Sequence, residues 1–436
     1  MLYYSTNNIS ARVDFKEATI KGQAPDGGLY FPERIPELPP AFFENIGDLS
    51  KEEIAYQVIQ PYVGDAIPPD ELKRIIAETI NFDFPLVKVD ENKFALELFH
   101  GPTLAFKDVG ARFMSRCLGY FVKNDSRKIT VLVATSGDTG GAVASGFFEV
   151  DGVDVVILYP TGKVSSVQEL QLTTYGKNIT ALEVNGNFDD CQQMVKQAFS
   201  DVELNQKVFL TSANSINVAR WLPQQFYYLL AYQQWADKTK PPVFCVPSGN
   251  FGNICAGLLA HRSGLPVTHF LAACNANNTI PQYLESGNYA PKKAVSTLSN
   301  AMDVGNPSNF VRILEIFNKE FHSLKNVMSS SSISDVETTH VLTEVYTRFK
   351  YLLDPHGAVA YSALDKYLRD FPDQKGIFLE TAHPVKFYDV VEPVIHEKVP
   401  IPDVIKALLN KKKKSIRLDL TYDALKDYLL HATLSR

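Results

Sequence analysis

The sequence predicts an α/β protein with two open, mostly parallel α/β lobes and a small, mostly helical N-terminal domain. Three observations lead there. Short β-branched runs recur along the chain: ITVLVA (129–134), VDVVILY (153–159), ITALEV (179–184), VFLT (208–211), VFCV (243–246), HFLAA (269–273) and GIFLE (376–380). Helical periodicity falls between them, as in 216–236 and 254–262. Strands alternating with helices argue for parallel sheets covered on both faces. The number of runs also exceeds what one compact nucleotide-binding half needs, so two lobes are expected.

In chain order, residues 1–90 are rich in proline and turn signals (APDGGLYFPERIP, IPELPP, GDAIPPDELKR), with a helix pattern over Lys51–Val63. They read as the N-terminal domain. Residues 91–436 read as the catalytic region, with a smaller lobe at roughly 115–235 and a helical C-terminal tail. The tract Ser329–Ser332 is expected to be a mobile loop. Lys411–Lys414 is expected to be a solvated end beside helix-like sequence.

Composition narrows the class. The chain has 436 residues, 45% hydrophobic and 21% charged, as in ordinary globular proteins. A net charge of -6 supplies no basic field for DNA or RNA, so no nucleic-acid partner is expected. The cysteines Cys117, Cys191, Cys245, Cys255 and Cys274 contain no CxxC pair. They read as buried thiols in a reducing compartment, with no metal site. The N-terminus lacks a basic stretch followed by an apolar block, and no apolar run approaches the ~20 residues that span a bilayer. A cytoplasmic protein without a membrane partner is the expectation.

Open α/β sheets bind ligands beyond the carboxyl ends of their strands. Two strand-to-helix turns are rich in glycine and small polar residues: Thr135–Gly141 (TSGDTGG) and Pro247–Asn253 (PSGNFGN). Successive amides at a helix N-terminus can hold an anion. Neither turn is a Walker A loop or a GxGxxG loop, and Ser, Asn and Gly are also ordinary N-caps. Each turn alone is therefore weak evidence. Two together suggest a ligand with two anionic groups.

Lys107 lies in HGPTLAFKDVG, in or near the first turn of a helix pattern over Leu104–Phe121. The helix dipole and the apolar neighbours disfavour its cation, which favours a neutral nucleophilic amine. The alternative is a surface lysine paired with Asp108, although adjacent helix residues do not face each other. An imine-forming lysine with an amide nest for a phosphate meets the needs of pyridoxal phosphate. The other turn would then take a substrate carboxylate.

Motifs from end to end resemble the threonine synthase family, pyridoxal-phosphate enzymes of fold type II. They include DGGLYFP (26–32), LELFHGPTLAFKDVGARF (96–113), ATSGDTGGAVA (134–144), ILYPTGKVS (157–165), TSANSINVAR (211–220), VPSGNFGN (246–253), TLSNAMDVGNPSN (297–309), DPHGAVAY (354–361) and ETAHPVKF (380–387). The resemblance implies that Lys107 carries the cofactor as a Schiff base and moves protons during turnover. It implies that Gly249, Asn250, Phe251, Gly252 and Asn253 cradle the cofactor phosphate, and that Thr381 faces the pyridine nitrogen. The TSGDTG turn is similar to a substrate-carboxylate loop TSGNTG, which brings in Ser136 and Thr139. Asp138 stands where relatives have an Asn that contacts the cofactor's 3′-oxygen.

The implied reaction converts O-phospho-L-homoserine and water to L-threonine and phosphate. Lys163 and Arg220, with the neutral donors Asn214 and Ser215, are candidates for the substrate phosphate. His100, His356 and His383 read as structural hydrogen-bonding groups. Two alternatives remain: a phospho-lyase that gives 2-oxobutyrate, and a non-catalytic phosphate-ligand sensor. The state of association is expected to be monomer or homodimer.

Overall fold

The computed structural model describes residues 1–123 and 128–434. It forms two compact units, one of Met1, Phe31–Phe106 and Trp221–Pro400, the other of Leu2–Tyr30, Lys107–Arg220 and Ile401–Arg436. The chain therefore passes from one unit to the other at the peptide bond between Phe106 and Lys107.

The first unit is built on a six-stranded sheet in the order Met328–Ser332, His269–Cys274, Val243–Pro247, Gly376–Glu380, Lys93–Glu97, Leu86–Lys88. Every pairing is parallel except the last, which is an antiparallel edge. Parallel strands covered on both faces must be apolar throughout, and Val243–Pro247 and Gly376–Glu380 are buried at every residue. Val243, Cys245, Leu271 and Phe378 from the sheet pack with Ala358, Val359, Ala363 and Leu364 of helix Pro355–Asp370.

The second unit is built on a five-stranded parallel sheet in the order Ser415–Leu418, Ile179–Val184, Val153–Pro160, Ile129–Ala134, Phe209–Thr211. Ile129–Ala134 is buried at every residue. Its core joins Leu132, Leu158 and Leu182 to Met194 and Val195 of helix Phe188–Ser200 and to Leu425 and Leu429 of helix Tyr422–Leu434. All five cysteines are buried and none forms a disulfide. No helix among the described residues is long and apolar enough to cross a membrane.

The strand runs fall where the β-branched pattern puts them, and helix Lys51–Val63 is as expected. Four local expectations change. The serine tract is a strand, Met328–Ser332, in parallel register with His269–Cys274. Its hydroxyls make up for missing β-branched character: Ser330 Oγ donates to the Ala272 carbonyl at 2.7 Å and Ser332 Oγ to the Asn275 carbonyl at 2.8 Å. The 216–236 pattern is two α-helices, Val218–Trp221 and Gln225–Gln234, separated by a 3₁₀ turn at Leu222–Gln224. Pro223 cannot donate its amide, so the ladder breaks there. Lys413 is ion-paired with Glu169 at 2.7 Å and Glu183 at 2.8 Å, so the lysine run is not simply solvated. Finally, the helix that carries Lys107 starts at Lys107 itself, running Lys107–Val122.

Candidate functional site

The lysine is delivered by a clamped loop. Glu97 ends its strand, and residues 101–106 then run back along the segment that follows Glu380. The amide of Phe106 donates to the Thr381 carbonyl at 2.8 Å, and the amide of His383 to the Leu104 carbonyl at 3.0 Å. Ala105 and Ala382 form an isolated antiparallel bridge. The Tyr227 hydroxyl donates to the Phe106 carbonyl. Leu104 turns the loop from the left-handed region at φ 57, an uncommon conformation for a bulky side chain that the clamps over-determine. The next residue after Phe106 is Lys107.

Lys386 is the member of this clamp that sequence reasoning missed. It is completely buried, and its ammonium donates to the Thr103 carbonyl at 2.8 Å. Sequence alone places such a lysine on the surface, because lysines are seldom fully buried. Lys386→Met should lower stability by about 1–3 kcal/mol by leaving a buried carbonyl unsatisfied. Thermal unfolding checks the loss, and slower uptake of pyridoxal phosphate by the variant would show that the loop has loosened.

His383 has a role in the same segment. Its Nδ1 accepts the Val385 amide at 3.1 Å, so this nitrogen carries no proton. Burial, aided by the nearby His100, lowers its pKa to about 4. A histidine whose folded pKa lies below the ordinary value of ~6.5 favours the fold above that value, and the benefit is lost as pH falls from ~6.5 towards 4. In NMR titration, the His383 ring should stay neutral through pH 6 and move only near pH 4. A midpoint near 6.5 would contradict the geometry.

In the second unit, Lys107 is half-buried and Asp108 is buried. Their helix is seated through glycine contacts. A Cβ on Gly110 would lie 2.6 Å from the Arg220 carbonyl oxygen, and one on Gly146 would lie 3.1 Å from that of Ala111. Arg220 is buried, and its Nη1 donates to the Ala213 carbonyl at 2.6 Å. It braces the loop from Ser212 to Asn217. Asn214, Ser215 and Ile216 are the half-exposed positions of that loop. Asn217, which sequence reasoning passed over, is fully buried and organises it. Its side-chain amide donates to the carbonyls of Thr19 (2.9 Å) and Ser212 (3.2 Å), and its Oδ1 accepts the Ala219 amide (3.0 Å).

The TSGDTGG turn opens helix Asp138–Phe147. Thr135 ties it from within: its hydroxyl accepts the amides of Gly137 at 3.0 Å and Gly140 at 2.8 Å. Gly137 adopts φ 138, and a Cβ there would meet the Gln168 side chain at 2.4 Å. Gln168 Nε2 donates to Asp138 Oδ1 at 2.9 Å, so the buried aspartate is held by a buried amide. Ser136 and Thr139 are the half-exposed residues of the turn. Lys163 is exposed on the turn after strand Val153–Pro160. That strand neighbours Ile129–Ala134, so both turns lie at the same carboxyl edge.

In the first unit, the turn from Ser248 to Asn253 joins strand Val243–Pro247 to helix Gly252–Arg262. Phe251 is its N-cap in the left-handed conformation, φ 60. Asn250 Oδ1 accepts the Ser308 amide at 2.6 Å, and the Asn250 carbonyl accepts the Asn309 amide at 3.3 Å. Asn253 Nδ2 donates to the Pro247 carbonyl at 2.8 Å, while its Oδ1 accepts the Ile254 amide at 2.9 Å. The two asparagine side chains therefore shape the turn. Arg312, completely buried and stacked 4.4 Å over Trp221, donates to Asn309 Oδ1 at 2.9 Å and supports Asn250 indirectly. With Ile254 capped and Cys255 bonded to the Phe251 carbonyl, the amides of Phe251, Gly252 and Asn253 are those the helix start presents. Such a set suits a phosphate. Thr381 is 6% exposed, and its hydroxyl makes no hydrogen bond among the described residues.

Comparison with known proteins points one way. The family profile described as "Pyridoxal-phosphate dependent enzyme" matches residues 84–379. "Threonine synthase N terminus" matches 2–80, and "Threonine synthase, C-terminal" matches 357–429. The threonine synthase of Haemophilus influenzae is 44% identical over 99% of this chain and 100% of its own length. That of Saccharomyces cerevisiae is 36% identical over 95% and 94%. The crystal structure of threonine synthase from Escherichia coli superposes with a TM-score of 0.92 at 39% identity, covering 99% of this chain and 100% of that one. A pyridoxal-phosphate-bound threonine synthase from Brucella melitensis also has a TM-score of 0.92, at 34% identity over 99% of each chain.

Proposed function

The chain belongs to the threonine synthase family of pyridoxal-phosphate-dependent enzymes, and we propose that it converts O-phospho-L-homoserine and water to L-threonine and phosphate. The observation that carries the proposal is the placing of Lys107 as the first residue of a helix, directly after a loop clamped to the 381–386 segment. In this reading residues 1–90 are the N-terminal domain and 91–436 the catalytic region. Buried cysteines without disulfides support a reducing compartment such as the cytoplasm.

The residues fit the cofactor. The amides of Phe251, Gly252 and Asn253 suit its phosphate, and Gly249 has no room for a side chain because a Cβ would lie 2.6 Å from Met302 Cα. The near-buried Thr381 hydroxyl suits a ring nitrogen. Pyridoxal phosphate supplies an aldehyde for covalent attachment and a ring that accepts electrons from the substrate α-carbon.

The protein does the rest. Lys107 Nζ would hold the cofactor through its aldehyde, and it is the amine placed to remove the Cα proton of the substrate. It also serves the proton shift from Cβ. Breaking the Cγ–O bond expels phosphate, a proton is returned to Cγ, the oxygen of water adds at Cβ, and a proton is returned to Cα. Ser136 and Thr139, with the amides of their turn, orient the substrate carboxylate, and Asp138 is kept rigid by Gln168. Lys163 is the exposed cation assigned to the substrate phosphate. Arg220, committed to Ala213, contributes by holding Asn214 and Ser215 in place.

Product analysis tests the reading. Protein loaded with pyridoxal phosphate should release threonine and phosphate in equal amounts from O-phospho-L-homoserine, without ammonia. Formation of 2-oxobutyrate with ammonia would make the protein a phospho-lyase, and no product at all would favour a sensor.

A further inference from the structure

Glu380 is a buried acid that these roles leave unused. It ends strand Gly376–Glu380, immediately before Thr381, and is fully buried. Neither of its oxygens has a well-formed hydrogen bond among the described residues, and the donor nearby is the Asp354 backbone amide. It faces another carboxyl, that of Asp354. Asp354 is also fully buried, and its Oδ1 accepts both the amide and the Nδ1–H of His356, each at 2.6 Å. Asp354 Oδ2 has no donor. Two facing carboxyls in a dry site do not both ionise, so one proton is shared between them. Asp354 has two close N–H donors to stabilise a charge, whereas Glu380 has only the Asp354 backbone amide nearby, which makes Glu380 the carrier. Burial, then the charges of Asp354 and Glu97, push its pKa well above the usual carboxylate range. Glu97 in turn accepts from the Tyr351 hydroxyl at 2.9 Å and pairs with His100 at 2.7 Å.

The chain of contacts continues beyond Asp354. With the His356 proton on Nδ1, its Nε2 accepts the Ala301 amide at 3.2 Å. Ala301 and Met302 belong to the short turn Asn300–Met302, and this turn walls in Gly249. A Cβ there would lie 2.6 Å from Met302 Cα and 3.1 Å from the Ala301 oxygen. At the other end, a Cβ on Gly357 would lie 1.9 Å from Glu380 Oε1, so the acid occupies space that only a glycine at 357 leaves open.

We propose that Glu380 is held as a protonated carboxylic acid which, through Asp354 and His356, positions the Asn300–Met302 turn against Gly249 and so shapes the cofactor-phosphate turn. It is a positioning residue, and its role rests on the reading of residues 249–253 given above.

Two measurements test it. Infrared difference spectra of wild type against Glu380→Gln, with carboxyl-labelled glutamate, should show the carbonyl band of a protonated acid. A carboxylate band overturns the proposal. Equilibrium dialysis with pyridoxal phosphate should give Glu380→Gln an affinity within about threefold of wild type, because the amide N–H₂ donates to Asp354 as the acid does. Glu380→Leu removes that donor and should weaken binding by about tenfold or more. Wild-type affinity in Glu380→Leu overturns the proposal, as does a tenfold loss in Glu380→Gln. If Glu380→Leu does not fold, the infrared band and Glu380→Gln still decide. A wild-type protein that shows the acid band but takes up no pyridoxal phosphate overturns the reading of the turn and the positioning role with it.

Discussion

Replacing Lys107 with alanine should lower turnover by ~10³-fold or more and abolish the yellow, borohydride-reducible chromophore of the cofactor-loaded protein. One amine is asked both to hold the cofactor and to carry protons, and loss of a proton-transferring group alone typically costs 10²–10⁴-fold. The fold should survive, because Lys107 is only half-buried and its helix is seated by Gly110 and Gly146 against backbone. Circular dichroism and thermal unfolding close to wild type, together with loss of the chromophore, would separate a chemical defect from a folding defect. A variant that kept its chromophore and turned over normally would place the reactive amine elsewhere.

The second large effect is expected at Gly249. A Cβ in Gly249→Ala would lie 2.6 Å from Met302 Cα and 3.1 Å from the Ala301 oxygen, and these are backbone atoms that cannot rotate away. Relieving that overlap displaces the turn that presents the Phe251, Gly252 and Asn253 amides, at a cost of about 1–3 kcal/mol in packing. If the strain falls on the bound state, cofactor affinity drops by roughly 10–100-fold. Equilibrium dialysis with pyridoxal phosphate measures it. Gly47→Ala, where a Cβ meets nothing within 4 Å, is the control and should bind as wild type does. Equal affinity in both variants would mean that the turn is not the phosphate cradle.

Much of this was readable from residue order, for physical reasons that differ by region. Central parallel strands are apolar on both faces, so ITVLVA and GIFLE stand out as continuous runs, and both are buried throughout. The serine tract hid its strand because the backbone ladder, together with hydroxyl-to-carbonyl bonds, does work that β-branched side chains usually do. The edge strand Leu86–Lys88 and its neighbour Lys93–Glu97 were missed because short strands with mixed polar residues give little alternation.

At the candidate site, Lys107 and the glycine turns stand out in the sequence because their composition conflicts with their setting. The residues that hold them were not. Lys386, Asn217 and Arg312 are buried polar groups whose partners Thr103, Thr19 and Trp221 lie far away in sequence, and no local pattern distinguishes a buried lysine or arginine from a solvated one. Gly249 read as a residue that lets backbone approach a phosphate. Its tight contact with Met302 is a tertiary fact, fifty residues away in the chain.

The most direct test of the account is to reduce the cofactor-loaded protein with borohydride and map the modified peptide by mass spectrometry. The pyridoxyl label should sit on Lys107 and on no other lysine. A label on another lysine, or none at all, would contradict the assignment of the helix-opening amine.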